Sequence, residues 1–366
     1  MRIQAAILRD PAKPFTLEDI ELDTPGPGEV LVRVAAVGMC HTDVVLRMLP
    51  ELRMPMVFGH EGAGVVAAVG PGVTRVAPGD HVVLSYDSCG WCARCLTGAA
   101  SYCDQFMARN LSGVRADGTS GATDCAGMPV AARWFGQSSF ASHAIATERN
   151  VVPVDAELPL EILGPLGCGL QTGAGAVLNI MRPIAGKSFA VFGAGSVGLA
   201  ALMAAKVVGC DPIIAVDIRS NRLELARSLG ATHTVDNTRE DSVAAMREIT
   251  GGGAHFTLET SAIPAVFRQA VDCLLTRGTC VLVGSARRGT EATFEMSTLQ
   301  AGRTVRGAIQ GESRPDQFIP YLVDLFVAGR FPIDRLVTFY DFASINQAAA
   351  DAVNGTTIKP VLRMPQ

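Results

Sequence analysis

Along the first part of the chain, apolar and polar positions alternate in short bursts punctuated by glycine and proline, the period-two signature of half-buried strands. Val30-Leu31-Val32-Arg33-Val34 alternates in expected exposure, and Gly62-Ala63-Gly64-Val65-Val66-Ala67-Ala68-Val69 leads into the turn Gly70-Pro71-Gly72. Gly79-Asp80 then turns into His81-Val82-Val83-Leu84. Strands so short and so spaced predict a partly open barrel or a sandwich rather than a parallel sheet.

From about Gly169 the texture changes. Strand-like runs at 189–192, 213–216, 256–259 and 279–283 alternate with helical patterns at 197–208, 221–229, 241–249 and 265–275. That alternation predicts right-handed βαβ units and a parallel sheet. After Gly307 the pattern turns irregular, with a helix near 315–328 and a last β-like stretch at 359–363, which predicts that the tail rejoins the first domain. The expected fold class is therefore α/β with two domains, 1–169 together with 310–366, and 170–309.

Composition narrows the partners. With 48% hydrophobic residues among 366, a substantial core is expected. Thirty-one basic residues stand against 35 acidic ones and none of the basic runs that track a phosphate backbone occurs, so nucleic acid is not an expected partner. The most apolar window, the 18 residues between Lys187 and Lys206, is interrupted by Gly193, Gly195 and Gly198 and reads as a buried strand entering a helix, not a membrane span. The first ten residues lack the features of a signal peptide, so a cytoplasmic protein is expected, in which ten cysteines need an explanation other than disulfides.

The run Phe189-Ala190-Val191-Phe192 feeds Gly193-Ala194-Gly195-Ser196-Val197-Gly198, which opens an apolar helix. The glycines allow a tight turn, close approach of a pyrophosphate and close helix–strand packing, with phosphate at the helix N-terminus. The next strand ends at Asp217, 24 residues past Gly193, near where a ribose-binding acid should fall. A carboxylate there repels a 2′-phosphate and favours NAD over NADP. Arg219 and Arg222 follow; their charge works against that preference, their default reading is a solvated helix start, and Arg222 is taken as a cofactor contact.

Cys89, Cys92, Cys95 and Cys103 form a C-x2-C-x2-C-x7-C array. Four thiolates at turn-flanked spacing suit a closed, structural zinc site. An iron–sulfur reading wants a shorter last gap and a following proline, whereas Asp104 follows Cys103. Four unligated core cysteines are the remaining alternative, against which stand Gly90, Arg94 and Asp104. Elsewhere, Cys40 in Gly38-Met39-Cys40-His41-Thr42-Asp43, His60 in Gly59-His60-Glu61-Gly62, and Cys168 between Gly167 and Gly169 offer a second donor set. Cys, His and Cys leave the fourth position of tetrahedral zinc open, as catalytic metals require.

These motifs, together with Gly59-His60-Glu61-x2-Gly64-x5-Gly70-x2-Val73, resemble those of the zinc-dependent alcohol dehydrogenases of the medium-chain dehydrogenase/reductase superfamily, over essentially the whole chain. Cys40-His41-Thr42-Asp43, Leu84-Ser85-Tyr86-Asp87-Ser88-Cys89 and Phe135-Gly136-Gln137-Ser138-Ser139-Phe140 are similar in particular to bacterial aryl-alcohol (benzyl alcohol) dehydrogenases. The resemblance implies a GroES-like catalytic domain and a Rossmann domain, two zinc ions per subunit, NAD, and a homodimer or homotetramer. It implies that Cys40, His60 and Cys168 bind catalytic zinc with Glu61 close behind, that Asp43 accepts from His60, and that Thr42 takes the alcohol proton. Val197 and Thr172 would press the nicotinamide, His41 and Lys359 would meet the pyrophosphate, and Asp217 the adenosine ribose. Val283, Ala308 and Gln310 fall at the carboxamide. Ser85, Trp134, Phe135 and Ile309 fall along the alcohol channel, with Trp134 and Phe135 as its walls and a core aromatic as the plain alternative for Trp134. One departure is that Val45 stands where many relatives carry the last histidine of a proton relay.

The implied activity is reversible oxidation of primary aromatic or allylic alcohols to aldehydes. Aliphatic and terpenoid alcohols and formaldehyde–thiol adducts are the alternatives within that class. A zinc-free quinone or enone reductase would lack the metal ligands, and a zinc-ribbon binding module would want a basic face that the charge count does not offer.

Overall fold

The computed structural model describes residues 1–49 and 52–365. They divide into two compact units, residues 1–168 with 314–322 and 333–365, and residues 169–313 with 323–332.

In the first unit, Arg2–Leu8, Thr16–Leu22, Gly121–Asp124, Pro129–Ala131 and Met56–Val57 form a five-stranded barrel. It closes through Met56–Val57, which pairs with Arg2–Leu8 on one side and with Ala131 on the other. A strand of two residues carries no period, so the hydrophobic pattern does not announce the closure. Beside the barrel lies a seven-stranded sheet centred on Glu29–Gly38, which pairs with Gly62–Val69, His143–Thr147 and Lys359–Arg363. The tail strand Lys359–Arg363 is thus an interior strand, flanked on its other side by Val337–Asp341. Inward-facing Ile7, Val32, Val34, Phe58, Trp134 and Phe140 belong to one continuous core.

In the second unit six parallel strands stand in the order His233–Asp236, Ile213–Asp217, Phe189–Phe192, Ala254–Glu259, Leu274–Leu282, Thr304–Gly307. In chain order within the unit this is 3-2-1-4-5-6, the doubly wound arrangement whose switch point lies between the first and fourth strands. Helices Ser196–Val207, Ser220–Leu229, Ser242–Thr250 and Pro264–Asp272 join the strands. Asp241 caps the third by accepting from the Val243 and Ala244 amides, and Gly251 ends it in the left-handed region. The helix expected over 265–275 stops at Asp272, because Leu274 already pairs with Ala254 in the sheet. Cys273, Leu274 and Leu275 are apolar and suit either element, and the ladder decides between them. The strands His233–Asp236, Thr304–Gly307 and Val337–Asp341 and the helix Ile345–Asn354 add to the elements that the pattern predicts. No helix among the described residues is long and apolar enough to cross a membrane.

Candidate active site

Three separate stretches of the first unit bring Cys40, His60, Glu61 and Cys168 together, with one donor atom from each lying within 4.8 Å of the others. Cys40 precedes the short helix His41–Val45, His60 and Glu61 precede the strand Gly62–Val69, and Cys168 follows the helical turn Gly164–Gly167. His60, Glu61 and Cys168 are buried, and Cys40 alone of the four is half-buried. His60 Nε2 lies 3.2 Å from Cys168 Sγ. Two thiols, an imidazole nitrogen and a carboxylate converging without a disulfide suit zinc.

Asp43 organises the cluster. Its Oδ1 sits 2.7 Å from His60 Nδ1 and accepts from the Gly59 amide, while Oδ2 accepts from the Cys40 amide. The carboxylate fixes the proton on Nδ1 and leaves the Nε2 lone pair facing the cysteines. Gln137, completely buried, holds the other side of the histidine. It donates to the carbonyls of His60 and Ser85 and accepts from the Gly62 amide. Nothing in its residue type singles it out; only the structure shows that each end of its amide is used.

Two of the expected channel residues lie elsewhere. Trp134 has no exposed surface, packs 4.9 Å from the Phe58 ring and donates its indole N–H to Asp43 Oδ1 at 3.0 Å. It is a core aromatic with a polar end, not a channel wall. Ser85 is equally buried and donates to the Gly167 carbonyl at 2.7 Å, which steadies the turn that presents Cys168. Phe135, by contrast, lies flat on His60, ring centres 4.3 Å apart. Its left-handed backbone, φ 50°, is unusual for a bulky residue and turns the ring onto the imidazole.

Lys359 also departs from expectation. Instead of facing an anionic cofactor, its ammonium is buried on Glu61, 2.9 and 2.8 Å from the two carboxylate oxygens, with a further bond to the Met39 carbonyl. Burial opposes the ammonium, but the Glu61 and Cys40 charges outweigh it and hold Lys359 above the ordinary lysine range. Burial pushes the Glu61 carboxyl above the usual carboxylate range, and the Lys359 ammonium works against that push. His41, the other expected pyrophosphate contact, is exposed at the start of its helix, with Thr42 half-exposed and Val45 half-buried beyond it.

The four remaining predicted ligands meet in a separate lobe of the same unit. Cys89, Cys92, Cys95 and Cys103 place their sulfurs within 4.8 Å of one another, and Cys89 Sγ lies 3.8 Å from Cys95 Sγ. A tetrahedron of sulfurs ~2.3 Å from a metal has edges of ~3.8 Å, so the lobe has the dimensions of a zinc site built from four thiolates. Amides of Cys89, Cys92 and Gln105 point at its sulfurs, as thiolates require.

In the second unit the Gly193–Gly198 turn leaves the first strand at the switch point of the sheet. A side chain on Gly198 would collide with the Gly193 carbonyl, whereas one on Gly195, just before the helix Ser196–Val207, would meet nothing within 4 Å. The open space over Gly195 is where a pyrophosphate can approach the helix N-terminus. Asp217, at the end of its strand, accepts from the Ala194 amide at 2.6 Å and from the Ile218 and Arg219 amides, with Arg222 3.9 Å away. Asp217→Gly is expected to raise the NADP-to-NAD ratio of kcat/KM by at least ~10-fold through loss of like-charge repulsion. It should also lower Tm, because the glycine turn loses its carboxylate; a wild type that uses both cofactors equally would refute this reading.

The other expected cofactor positions in this unit are set as follows. Val197 is the second residue of the Ser196–Val207 helix, and Thr172 lies half-buried in the helix Gly169–Gly175. The Val283 and Ala308 amides are taken up by the Glu259 and Leu282 carbonyls. Gln310 is buried with φ 52° beside Gln171, and Ile309 is exposed.

Comparison with known proteins agrees with this geometry. A family described as zinc-binding dehydrogenase matches residues 196–328, and the alcohol dehydrogenase GroES-like domain matches residues 26–156. Geraniol dehydrogenase of Castellaniella defragrans is 45% identical over 363 residues, 98% of this chain and 97% of that protein. The crystal structure of benzyl alcohol dehydrogenase from Acinetobacter calcoaceticus is 45% identical, with a TM-score of 0.96 and all of both chains covered. That of an alcohol dehydrogenase zinc-binding domain protein from Burkholderia ambifaria is 51% identical, with a TM-score of 0.98 and again full coverage of both chains.

Proposed function

Because the chain belongs to the zinc-dependent alcohol dehydrogenases of the medium-chain dehydrogenase/reductase superfamily, enzymes that use zinc and NAD, we propose that it interconverts benzylic and allylic primary alcohols with their aldehydes. When bound, zinc supplies Lewis acidity that lowers an alcohol's pKa, and NAD supplies the hydride acceptor. The chain's own residues do the rest. Cys40, His60 and Cys168 hold the metal, and Lys359 keeps the Glu61 carboxylate in place behind it. Thr42 takes the hydroxyl proton on its Oγ1. Val45, three residues on, has no polar atom to accept that proton, so the chain's own relay ends at Thr42. The Gly193–Gly198 turn, Asp217 and Arg222 carry the cofactor in their unit.

The observation that carries the substrate class is the aromatic layer beside the metal ligands: Phe135 flat on His60, with Phe106 edge-on to it and Tyr86 behind. A flat ring or conjugated chain gains apolar contact there that ethanol cannot supply. Similarity to a geraniol dehydrogenase and a benzyl alcohol dehydrogenase supports the same class. Steady-state kinetics on an alcohol panel with NAD should give benzyl alcohol and geraniol a kcat/KM far above that of ethanol. Phe135→Ala should shrink that preference, because it removes the ring packed on His60 and leaves a cavity in the aromatic layer beside the metal ligands. Equal efficiency with ethanol and benzyl alcohol would overturn the assignment.

A further inference from the structure

Asp43 is fully buried, and its two oxygens gather four N–H donors. Two are backbone amides, those of Cys40 and Gly59. The third is His60 Nδ1 and the fourth is Trp134 Nε1. A buried carboxylate depends on such donors, and removing one leaves an acceptor stranded away from water. The indole can only donate, so its bond to Asp43 has a single sense and no competing tautomer. Trp134 is itself held tightly. Its ring packs on Phe58 and Phe135, its amide donates to Ser138 Oγ, and that hydroxyl donates on to the Val57 carbonyl.

We infer that Trp134 is a positioning residue for the catalytic metal: its indole N–H locks the Asp43 carboxylate in the orientation that aligns His60, so that the metal is held more tightly and released more slowly. Trp134 and Asp43 are 91 residues apart in the chain, and Trp134 comes from the 3-10 turn Trp134–Gly136, which also lays Phe135 on the face of the same imidazole. One turn therefore controls His60 twice, through the carboxylate at its Nδ1 edge and through an aromatic ring on its face. The inference rests on the reading of Cys40, His60 and Cys168 as zinc ligands.

The test is zinc release from the purified holoenzyme to a colorimetric chelator, with the Cys89–Cys103 zinc as an internal control. Trp134→Phe keeps the aromatic packing and removes the N–H. It should speed release of the catalytic zinc by ~10-fold or more, in line with the effect of outer hydrogen-bond partners on metal affinity, and leave the four-cysteine zinc unchanged. Cobalt substituted at the catalytic site should show a shifted visible absorption band in the same variant. Should Trp134→Phe fail to fold, replacing Trp134 with 3-benzothienylalanine in a Trp91→Phe background exchanges the N–H for sulfur at almost constant shape. Unchanged release from a folded variant of either kind overturns the inference, as does equal acceleration at both zinc sites, which would mark a purely structural role. A wild type holding zinc only in the four-cysteine lobe would instead overturn the catalytic-site reading and the inference with it.

Discussion

Cys168→Ser is expected to cut turnover by ~10³-fold or more while the protein stays folded and still binds NAD. In the proposed site Cys40, His60 and Cys168 would hold the catalytic metal, and weakening the anchor that Ser85 and the Gly167 turn present would remove several kcal/mol of transition-state stabilisation, with each 1.36 kcal/mol worth about tenfold. Cys92→Ser should behave differently. Among the described residues, Phe106 is the one large apolar side chain packed against the sulfurs of the four-cysteine lobe, so the metal contributes folding energy outright, and its loss should unfold the lobe or lower Tm rather than silence an intact site. Metal analysis, circular dichroism and NAD titration of the two variants separate these outcomes. An active wild type carrying a single zinc would contradict the division into two roles.

The second large effect is expected at Lys359. Its ammonium and the Glu61 carboxylate are 2% and 0% exposed, and removing one partner of so deeply buried a pair strands a charge in the core. Lys359→Met should therefore cost ~3–5 kcal/mol, visible as a fall in Tm of several degrees. The double variant Lys359→Met, Glu61→Gln should recover part of that loss, because a neutral amide needs no counter-charge. If the single variant is as stable as the wild type, the pair is not holding the site together.

What is legible in the sequence is what local spacing encodes. The glycine turn, the four-cysteine array and the strands and helices around them announce themselves within windows of a few dozen residues, and Asp43 sits close enough to Cys40 to be read with it. Cys40, His60 and Cys168 are recognisable from their glycine-rich surroundings even though the fold, not the spacing, brings them together. What stays hidden depends on direction and long-range contact. An aromatic near a metal motif can line a channel or fill a core, and the burial of Trp134 with its N–H on Asp43 decides for the core. A lysine near the end of the chain reads as an anion contact, and only the pairing of its strand with Glu29–Gly38 brings it to Glu61, 298 residues away. The barrel closure at Met56–Val57 and the early end of the helix at Asp272 escape for the related reason that sheet partners, absent from any local window, decide them.

The Lys359–Glu61 contact also sets an order of events during synthesis. Residues 169–332 leave the ribosome before the strand Lys359–Arg363 does, so the parallel-sheet unit has all of its strands available while the first unit still lacks an interior strand and Glu61 its counter-charge. The first unit can collapse early around the barrel, but its metal pocket reaches its final electrostatic state only after translation has passed residue 359. Completion of the catalytic centre is thereby tied to arrival of the tail strand, and a nascent chain stalled before it would carry every zinc ligand in an unfinished pocket.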